Sequence, residues 1–417
     1  MAGTSFSESN DLTVKVWAKK LFVEALKQTV LDKFIGTSSD SAIVVKDELS
    51  KMAGDRIRYG LRMQLDGDGV RGDSTLEGNE EALTTYTDAV FIDQLRHAVK
   101  VIGNMSQQRV TFDIRSEAQS GLVDWWANRL DVSLMNQMTG NVGITDQRYS
   151  GLNASSDFSG VASAVVKGTA VPVEARGILG GANRLPTLAE GGGAGADVSA
   201  GLAWSAYEEE MSKVAVGETK WRFNLSMLDA AVVNARTMAT PIRPVKLNGM
   251  ECYVAILHPY QVLDLRRNTS TGQWLDIQKS AMMGGQIASN PIFTGSVGLY
   301  NNVIMHEDAR VPYSGNAVGN STKLAVAGTG ASQAIIARGV LFGAQAGCIA
   351  FGRNYGYAGS NVKYKWTEVI DDYENQLGVS AALVYGVKKS VFNSKDFASL
   401  ALSSTSSGEA SNYVTTA

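Results

Sequence analysis

One long stretch of the chain has the hydrophobic period of an amphipathic helix. Between residues 111 and 140, apolar side chains recur every four positions: Ile114, Ala118, Leu122, Trp126, Leu130, Leu134 and Met138. The opposite side carries Glu117, Ser120, Asp124, Asn128 and Asp131. Asp113 or Ser116 can cap the N-terminus, and Gly140 is a natural stop. We predict a helix over 113–139, about 40 Å long, whose core side includes Leu122, Trp125, Trp126, Leu130 and Leu134.

The region before this helix has the pattern of a hairpin. Residues 57–65 alternate between apolar and polar side chains, which indicates a half-buried strand. Residues 93–101 also alternate and permit a returning strand, although a helix through Ile92, Leu95 and Val99 is the competing interpretation. A lone two-stranded hairpin is marginal in water, and nothing adjacent in sequence offers to cover this one. We therefore predict a subunit whose extended loop overlaps its neighbours.

The rest of the chain alternates between short elements and loops. Helices are predicted at 11–34, 224–238, 258–267 and 340–350. Strands are predicted at 251–257, 362–370 and 378–389, the last two returning antiparallel through a turn at 371–376. The Gly-, Ala- and Ser-rich stretch 141–203 favours loops or short strands, and the tail from Ser403 lacks a core pattern, so we expect it to be disordered.

Composition narrows the class of protein. The 417 residues are 44% hydrophobic and 19% charged, which allows two or three domains with a large core. The net charge of −3 argues against a dedicated nucleic-acid binder. Cys252 and Cys348 lie in apolar surroundings and are predicted to be buried free thiols. Without an apolar run of ~20 residues or a signal-peptide pattern, we expect a soluble protein made in a reducing compartment and no membrane partner.

The sequence contains no recognisable catalytic constellation. Its three histidines lack metal-ligand spacing, and neither a Gly-x-Ser-x-Gly elbow nor a Walker P-loop occurs. Asp66, Asp68 and Glu77 match three positions of a calcium-loop template, but Val70 and Arg71 replace the ligand and the glycine that the template needs next. We interpret 66–81, with six acidic residues and one arginine, as a solvated acidic tip. No catalytic residue, cofactor or metal is predicted.

Six segments, in a fixed order, carry a resemblance to a known family. They are LEGNEEALTTYTDAVFIDQLRHAVKVIGNMSQQRVTFDIRSEA (76–118), PIRPV (241–245), HPYQVLDLR (258–266), WLDIQ (274–278), NPIFTGSVGLYN (290–301) and GVKKSVFNSKDF (386–397). The chain resembles the major capsid proteins of tailed bacteriophages, with the Hong Kong 97-type fold. More narrowly, it is similar to the podophage major capsid family related to phage N-four. The region 150–210 matches least.

The resemblance implies an α+β architecture with named parts. These are an N-terminal arm (1–40), an extended β-hairpin loop and its base (41–103), a peripheral domain with a long spine helix (104–150), an axial domain with Gly-rich insertions (151–330), a return to the peripheral domain (331–397) and a tail (398–417). It implies a subunit of hexamers and pentamers in an icosahedral phage head around double-stranded DNA, assembled in the host bacterial cytoplasm. Another self-assembling shell protein, such as an encapsulin-like compartment or a surface layer, is the alternative.

Partners and contacts follow from the same resemblance. A portal, a separate scaffolding protein and a decoration protein are the expected candidates beside the subunit itself. At subunit interfaces we expect Asp66, Arg71, Glu77, Glu80 and Glu81 of the tip, against a neighbour's Lys15, Lys19, Lys20, Lys388 or Lys389. The founding member of the fold forms Lys–Asn cross-links from a lysine in its extended loop. Because no lysine occurs between Lys51 and Lys100, we predict a noncovalent shell.

Overall fold

The described part of the chain mixes helices and strands. The computed structural model describes residues 29, 31–48, 54, 56–61, 70–73, 75, 77, 86–101, 103–111, 113–139, 177–179, 222–237, 241–247, 250–267, 296–313, 335–355, 361–362, 364–372, 375–392 and 395–406. The helices, in chain order, are α1 Asn104–Arg109, α2 Ile114–Thr139, α3 Leu225–Thr237 and α4 Pro259–Arg267. A 3-10 turn spans Leu31–Phe34.

The strands fall into two large sheets and three two-stranded pairs. In chain order they are β1 Ile35–Gly36, β2 Ile43–Lys46, β3 Arg56–Leu61, β4 Tyr86–Phe91, β5 Asp93–Lys100, β6 Gly177–Leu179, β7 Val245–Leu247, β8 Met250–Leu257, β9 Ser296–Tyr300, β10 Val303–Glu307, β11 Ile335–Phe342, β12 Gly347–Phe351, β13 Asn354–Tyr355, β14 Asn361–Val362, β15 Tyr364–Asp371, β16 Gln376–Lys389, β17 Val391–Phe392, β18 Lys395–Asp396 and β19 Ser399–Ser406.

The six-stranded sheet is built around β16, its longest strand. The order is β1-β2-β12-β16-β15, and β5 also pairs with β16. The antiparallel return of β15 into β16 confirms the predicted strands and turn, which ends with Asp371 opposite Gln376. The segment 93–101 is a strand rather than a helix, but it pairs with β16 and not with β3. The returning arm of the hairpin is β4 instead, because the alternating Leu95 and Val99 pack, partly buried, against the large core.

The seven-stranded sheet has the order β6-β19-β11-β8-β10-β9, with β7 paired to β8. Its central strand β8 is buried from Cys252 to Leu257, as expected for a strand covered on both faces. The helix predicted after β8 is confirmed as α4. His258 caps it, because its ring Nδ1 accepts a hydrogen bond from the Tyr260 amide at 3.2 Å, and Pro259 takes the first helical position.

Two predictions near the C-terminus are wrong. The helix expected at 340–350 is the end of β11, a turn and β12. A short apolar run of small residues fits a buried strand as well as a helix, and here both flanking sheets supply strand partners. The tail expected to be disordered begins with β19, whose serines and threonine are buried: Ser403, Ser404 and Thr405. Because β11 belongs to the seven-stranded sheet, the chain returns to the six-stranded sheet only at Gly347.

The N-terminal helix predicted at 11–34 lies mostly outside the described residues, and its final turn is the 3-10 turn at Leu31–Phe34. The helix predicted at 224–238 is confirmed as α3. Within the described helices, none is long and apolar enough to cross a membrane.

The long predicted helix is confirmed as α2, which ends one residue before Gly140. Asp113 is the cap, since its Oδ1 accepts a hydrogen bond from the Arg115 amide at 3.0 Å. In its first half the helix is amphipathic, with Glu117 and Asp124 exposed. In its second half it is buried on every side from Arg129 to Thr139. Asp131, predicted on the side opposite the apolar row, is therefore buried as well: it is 1% exposed and forms an ion pair with Arg310.

The core side of α2 is placed as expected. Leu122, Trp126, Leu130 and Leu134 are buried, and Trp125 packs partly buried beside them. Trp126 meets Trp125 edge to face at 5.0 Å between ring centroids and lies 6.1 Å from Tyr385 of β16. Helix and sheet therefore share one core.

We expect Trp126→Ala to lower the free energy of unfolding by about 3–5 kcal/mol, the range for removing a large buried aromatic side chain. Because such a loss is a large share of a domain's stability, the variant subunit should be insoluble rather than folded and inactive. Trp125→Ala, on the same helix but only partly buried, is the control and should remain soluble. Thermal unfolding of both variants measures this, and a soluble Trp126→Ala subunit with native-like melting would contradict the core assignment.

Candidate assembly site

The base of the extended hairpin rests on its own subunit through one face. In β3, burial alternates residue by residue, so that Ile57, Tyr59 and Leu61 point inward while Arg56, Arg58 and Gly60 point to solvent. The inward side chains form a small core with Val90 of β4 and with Cys348 and Ala350 of β12. The sequence pattern therefore places this arm correctly, and the sheet supplies the surface that a lone hairpin lacks.

A carboxylate at the base of the hairpin ties it to the end of β16. Asp88 Oδ1 accepts a hydrogen bond from Lys388 Nζ at 2.5 Å, and its Oδ2 accepts from the Val391 amide at 3.0 Å. The Tyr59 hydroxyl donates to Asp88 Oδ2 at 3.3 Å and lies 3.1 Å from Ser390 Oγ. Burial, followed by the nearby Asp88, raises the pKa of Tyr59 well above its usual range, so the phenol stays protonated as a donor.

The described strands of the hairpin run toward the C-terminal end of β16. Phe91, at the inner end of β4, lies against Gly386, where an added Cβ would stand 2.0 Å from the Phe91 carbonyl oxygen. Asp88, three residues further out, contacts Lys388 and Val391. From Phe91 to Asp88, β4 therefore runs alongside the last residues of β16.

The predicted acidic tip is exposed where the structure describes it. Arg71, Asp73 and Glu77 are exposed, and Gly72 adopts a φ of 64°, which suits glycine in a turn. The remaining predicted tip residues lie outside the described residues, namely Asp66, Asp68, Glu80 and Glu81. In the described part of the chain, no three His, Cys, Asp or Glu side chains are grouped to hold a metal ion.

The lysines predicted to meet the tip are placed differently from what the sequence indicates. Lys388 is engaged with Asp88 of its own chain. Lys389 forms an ion pair with Asp396 at 2.7 Å, and both side chains are almost fully buried, at 1% and 0% exposure. Lys389 is therefore corrected from a surface contact to a core residue. Consecutive residues of a strand point to opposite faces, and here both faces are covered. Lys15, Lys19 and Lys20 lie outside the described residues.

The two cysteines are buried free thiols, which confirms their prediction. Burial raises the pKa of Cys348 to about 12, and burial also raises the pKa of Cys252. Because the thiolate is the reactive form, both thiols are unreactive in the folded subunit.

Sequence reasoning missed the contacts that join α2 to the rest of the chain. Arg115 binds Glu368 of β15 through two nitrogens, with distances of 2.8 to 3.1 Å. At the other end, Arg338 of β11 donates to the carbonyl oxygen of Thr139 at 3.2 Å. The residues of each pair are more than 190 positions apart in sequence, so no local sequence pattern predicts these contacts.

A long helix on one face of a sheet, a hairpin packed on that sheet and a second sheet define the class of fold, the Hong Kong 97-type capsid fold. Solved structures agree with this. The capsid of Ralstonia phage GP4 has a TM-score of 0.67 and 24% identity, covering 97% of this chain and 95% of that one. The capsid of cyanophage Pam1 has a TM-score of 0.60 and 20% identity, covering 98% of this chain and 100% of that one. The α+β capsid fold expected from the sequence is confirmed.

The chain belongs to the phage capsid protein family, whose model matches residues 5–407. A curated relative, the major capsid protein of Pseudomonas phage KPP25, is 27% identical over 398 residues, which is 94% of this chain and 93% of the relative. The protein is thus a phage major capsid protein and a component of the virion shell. The narrower likeness to relatives of phage N-four stays a prediction.

We expect Asp88→Asn to loosen the hairpin without unfolding the subunit. The change keeps the side-chain size but leaves the Lys388 ammonium without its carboxylate, at a cost of about 1.5–3 kcal/mol for a charged hydrogen bond. Hydrogen exchange of the β3 and β4 amides should accelerate while that of β8 stays unchanged. Asp93→Asn is the matched control, since among the described residues this carboxylate accepts a hydrogen bond only from the next amide, that of Gln94, at 2.7 Å. Equal exchange in both variants would show that Asp88 is not the anchor.

Proposed function

We propose that this protein builds the icosahedral head of a tailed phage by assembling into hexamers and pentamers that enclose the double-stranded DNA genome. The observation that carries the proposal is the family match along residues 5–407. The hairpin of β3 and β4, anchored by Asp88 at the end of β16, supports it. An encapsulin-like compartment or a surface layer would use similar self-contacts, but the family match favours the phage head.

The parts of the subunit receive roles within this proposal. The six-stranded sheet with α2 is the peripheral domain, and the seven-stranded sheet with α3 and α4 is the axial domain. Assembly takes place in the host bacterial cytoplasm, with a separate scaffolding protein and a portal as partners and a decoration protein as a further candidate. We assign the protein no catalytic role. Its proximity to the packaged DNA is nonspecific, and its net charge of −3 disfavours tight binding to phosphates.

Electron microscopy of the purified protein, alone and with a coexpressed scaffolding candidate, tests the proposal. Closed shells with icosahedral symmetry are the expected product. Flat two-dimensional sheets would favour a surface layer, and small particles that never close in either preparation would overturn the proposal.

The acidic tip is proposed to contact a neighbouring subunit, and its neutralisation should weaken assembly. Glu77→Gln, Glu80→Gln and Glu81→Gln together should lower shell yield while leaving subunit melting unchanged. Each exposed ion pair contributes only about 0–1 kcal/mol, but every subunit repeats it, and added salt should reproduce the loss. The matched control removes three exposed carboxylates elsewhere: Glu117→Gln, Asp124→Asn and Glu251→Gln. Unchanged assembly of the tip variant across a salt series would refute the contact.

The shell is proposed to be held by noncovalent contacts alone. The loop has no lysine between Lys51 and Lys100, Lys100 is paired with Asp371 at 3.0 Å, and both thiols are buried. Arginine cannot replace the missing nucleophile because its guanidinium stays protonated. Particles boiled in denaturing detergent should therefore run as one band near 44.4 kDa, with or without reductant. A ladder of covalent multimers would disprove this and point to Lys51 or Lys100.

A further inference from the structure

The two large sheets are joined directly by a turn of four residues. Phe342 ends β11 of the seven-stranded sheet, and Gly347 begins β12 of the six-stranded sheet. We call residues 343–346, which lie between these strands, the crossover. Because the crossover is so short, a change in the angle between the two sheets at this point has to change its backbone dihedral angles.

The crossover is held in place by other parts of the chain. Each of its four amides donates a hydrogen bond to a carbonyl oxygen of a distant segment. In chain order these bonds run from Gly343 to Ala398 at 3.0 Å, from Ala344 to Arg243 at 2.8 Å, from Gln345 to Ser41 at 2.9 Å and from Ala346 to Ala42 at 2.8 Å. The acceptors lie just before β19, β7 and β2, so segments of both sheets fix the path of this turn.

Gln345 has a backbone conformation that is unusual for its residue type. Its φ is 57° and it is buried, at 4% exposure. Glycine adopts this left-handed region freely, whereas a side chain makes it costly. Among the described residues, the other non-glycine residues with positive φ are exposed and of types that tolerate it better, namely Asn301, Asn302 and Asp372. Gln345 is therefore strained, and its surroundings maintain the strain.

The Gln345 side chain connects the crossover to the hairpin. Its Nε2 donates a hydrogen bond to the carbonyl oxygen of Gly60 in β3, at 3.3 Å. This contact is made to a different arm of the hairpin from that of Asp88, which lies in β4. The direction of a side chain follows the backbone of its own residue. If Gln345 changed to the ordinary negative φ, its side chain would turn away and the bond to Gly60 would be lost.

We propose that Gln345 is a conformational joint: its left-handed backbone holds one angle between the two sheets, and its side chain couples that angle to the seating of the hairpin base on β12. In the seated state the hairpin is docked and Gln345 is left-handed. In the released state the hairpin base is loosened and the crossover relaxes. The hydrogen bond to Gly60 favours the first state and the backbone strain favours the second, so each part biases the other reciprocally.

The joint deepens the proposed function, and its use in assembly rests on that function. A chain that enters both hexamers and pentamers meets its neighbours at more than one angle, and a subunit with two settings can fit both. The joint itself is a property of the single subunit, so it is measured on unassembled full-length protein.

Two substitutions at residue 345 separate the backbone from the side chain. Gln345→Ala removes the bond to Gly60 and keeps the strain, so hydrogen exchange of the β3 and β4 amides should become roughly fivefold faster than in the wild type. Gln345→Gly removes the same bond and also the strain, so exchange should return to about the wild-type rate. Adding Ala344→Gly to Gln345→Ala is the matched control, since the φ of Ala344 is not positive, and this double variant should not recover.

The comparison is decisive because the two variants differ only at a backbone outside the hairpin. Equal hairpin exchange in Gln345→Ala and Gln345→Gly would overturn the coupling. The amides of β8 report opening of the whole subunit. If their exchange differed between the two variants by as much as that of the hairpin, the effect would be one of global stability and the joint would also be overturned.

The reciprocal experiment starts from the hairpin and reads the angle between the sheets. Because both native thiols are buried, spin labels attach to introduced cysteines at Ala98→Cys of β5 and Glu251→Cys of β8, which are exposed positions on different sheets. Asp88→Asn loosens the hairpin without touching the crossover. It should enlarge a second population of label-to-label distances, the same population that Gln345→Ala enlarges, because coupling is reciprocal.

The control and the outcomes of the distance measurement are equally specific. Asp93→Asn and Gln345→Gly should leave the wild-type distance distribution unchanged. One unchanged distribution in all variants, or a response to Gln345→Ala but none to Asp88→Asn, would overturn the joint. Neither result depends on shell formation, so a wild-type protein that forms no shells would refute the proposed function and leave the joint standing.

Discussion

The burial of the second half of α2 is the constraint on which the rest of the subunit depends. The helix contacts β16 of one sheet and β11 and β19 of the other, so it joins the two sheets. Its sequence is not apolar enough for such a position without polar partners. Asp131 meets Arg310, Ser133 donates to the carbonyl of Arg129 at 2.7 Å, and Thr139 donates to that of Met135 at 2.8 Å. A buried carboxylate is costly unless it is paired, so the position of Arg310 near β10 is fixed together with the helix.

The position of the hairpin follows from a different constraint. Two strands alone are marginally stable in water and need an apolar surface to pack against. The inward residues of the hairpin pack on Cys348 and Ala350 in a small core. At its base, Asp88 accepts hydrogen bonds from donors in three segments of the chain. Within the described residues, the subunit therefore stabilises the base of the hairpin, from Arg56 to Leu61 and from Tyr86 to Phe91.

Elements with a strong period were predictable from sequence, and contacts between elements were not. The four-residue repeat identified α2, alternation identified β3 and β15, and the turn at 371–376 identified β16 as the returning strand. The same alternation in 93–101 predicted a strand but not its pairing partner, because a strand with one apolar face can pair with the edge of more than one sheet. The run 340–350 and the serine-rich β19 were misjudged since their environment, not their composition, decides between helix, strand and disorder.

The sequence by itself determined the family, the long helix, the half-buried hairpin arm and the acidic loop, because these depend on local period, charge and segment order. Tertiary structure alone decided that Lys389 is a core residue, that Asp131 is paired, and that Arg96 and Lys365 face each other across Ala382. The physical reason is that burial and pairing arise where distant strands meet, whereas a side chain's own sequence neighbourhood specifies only which face of its element it occupies.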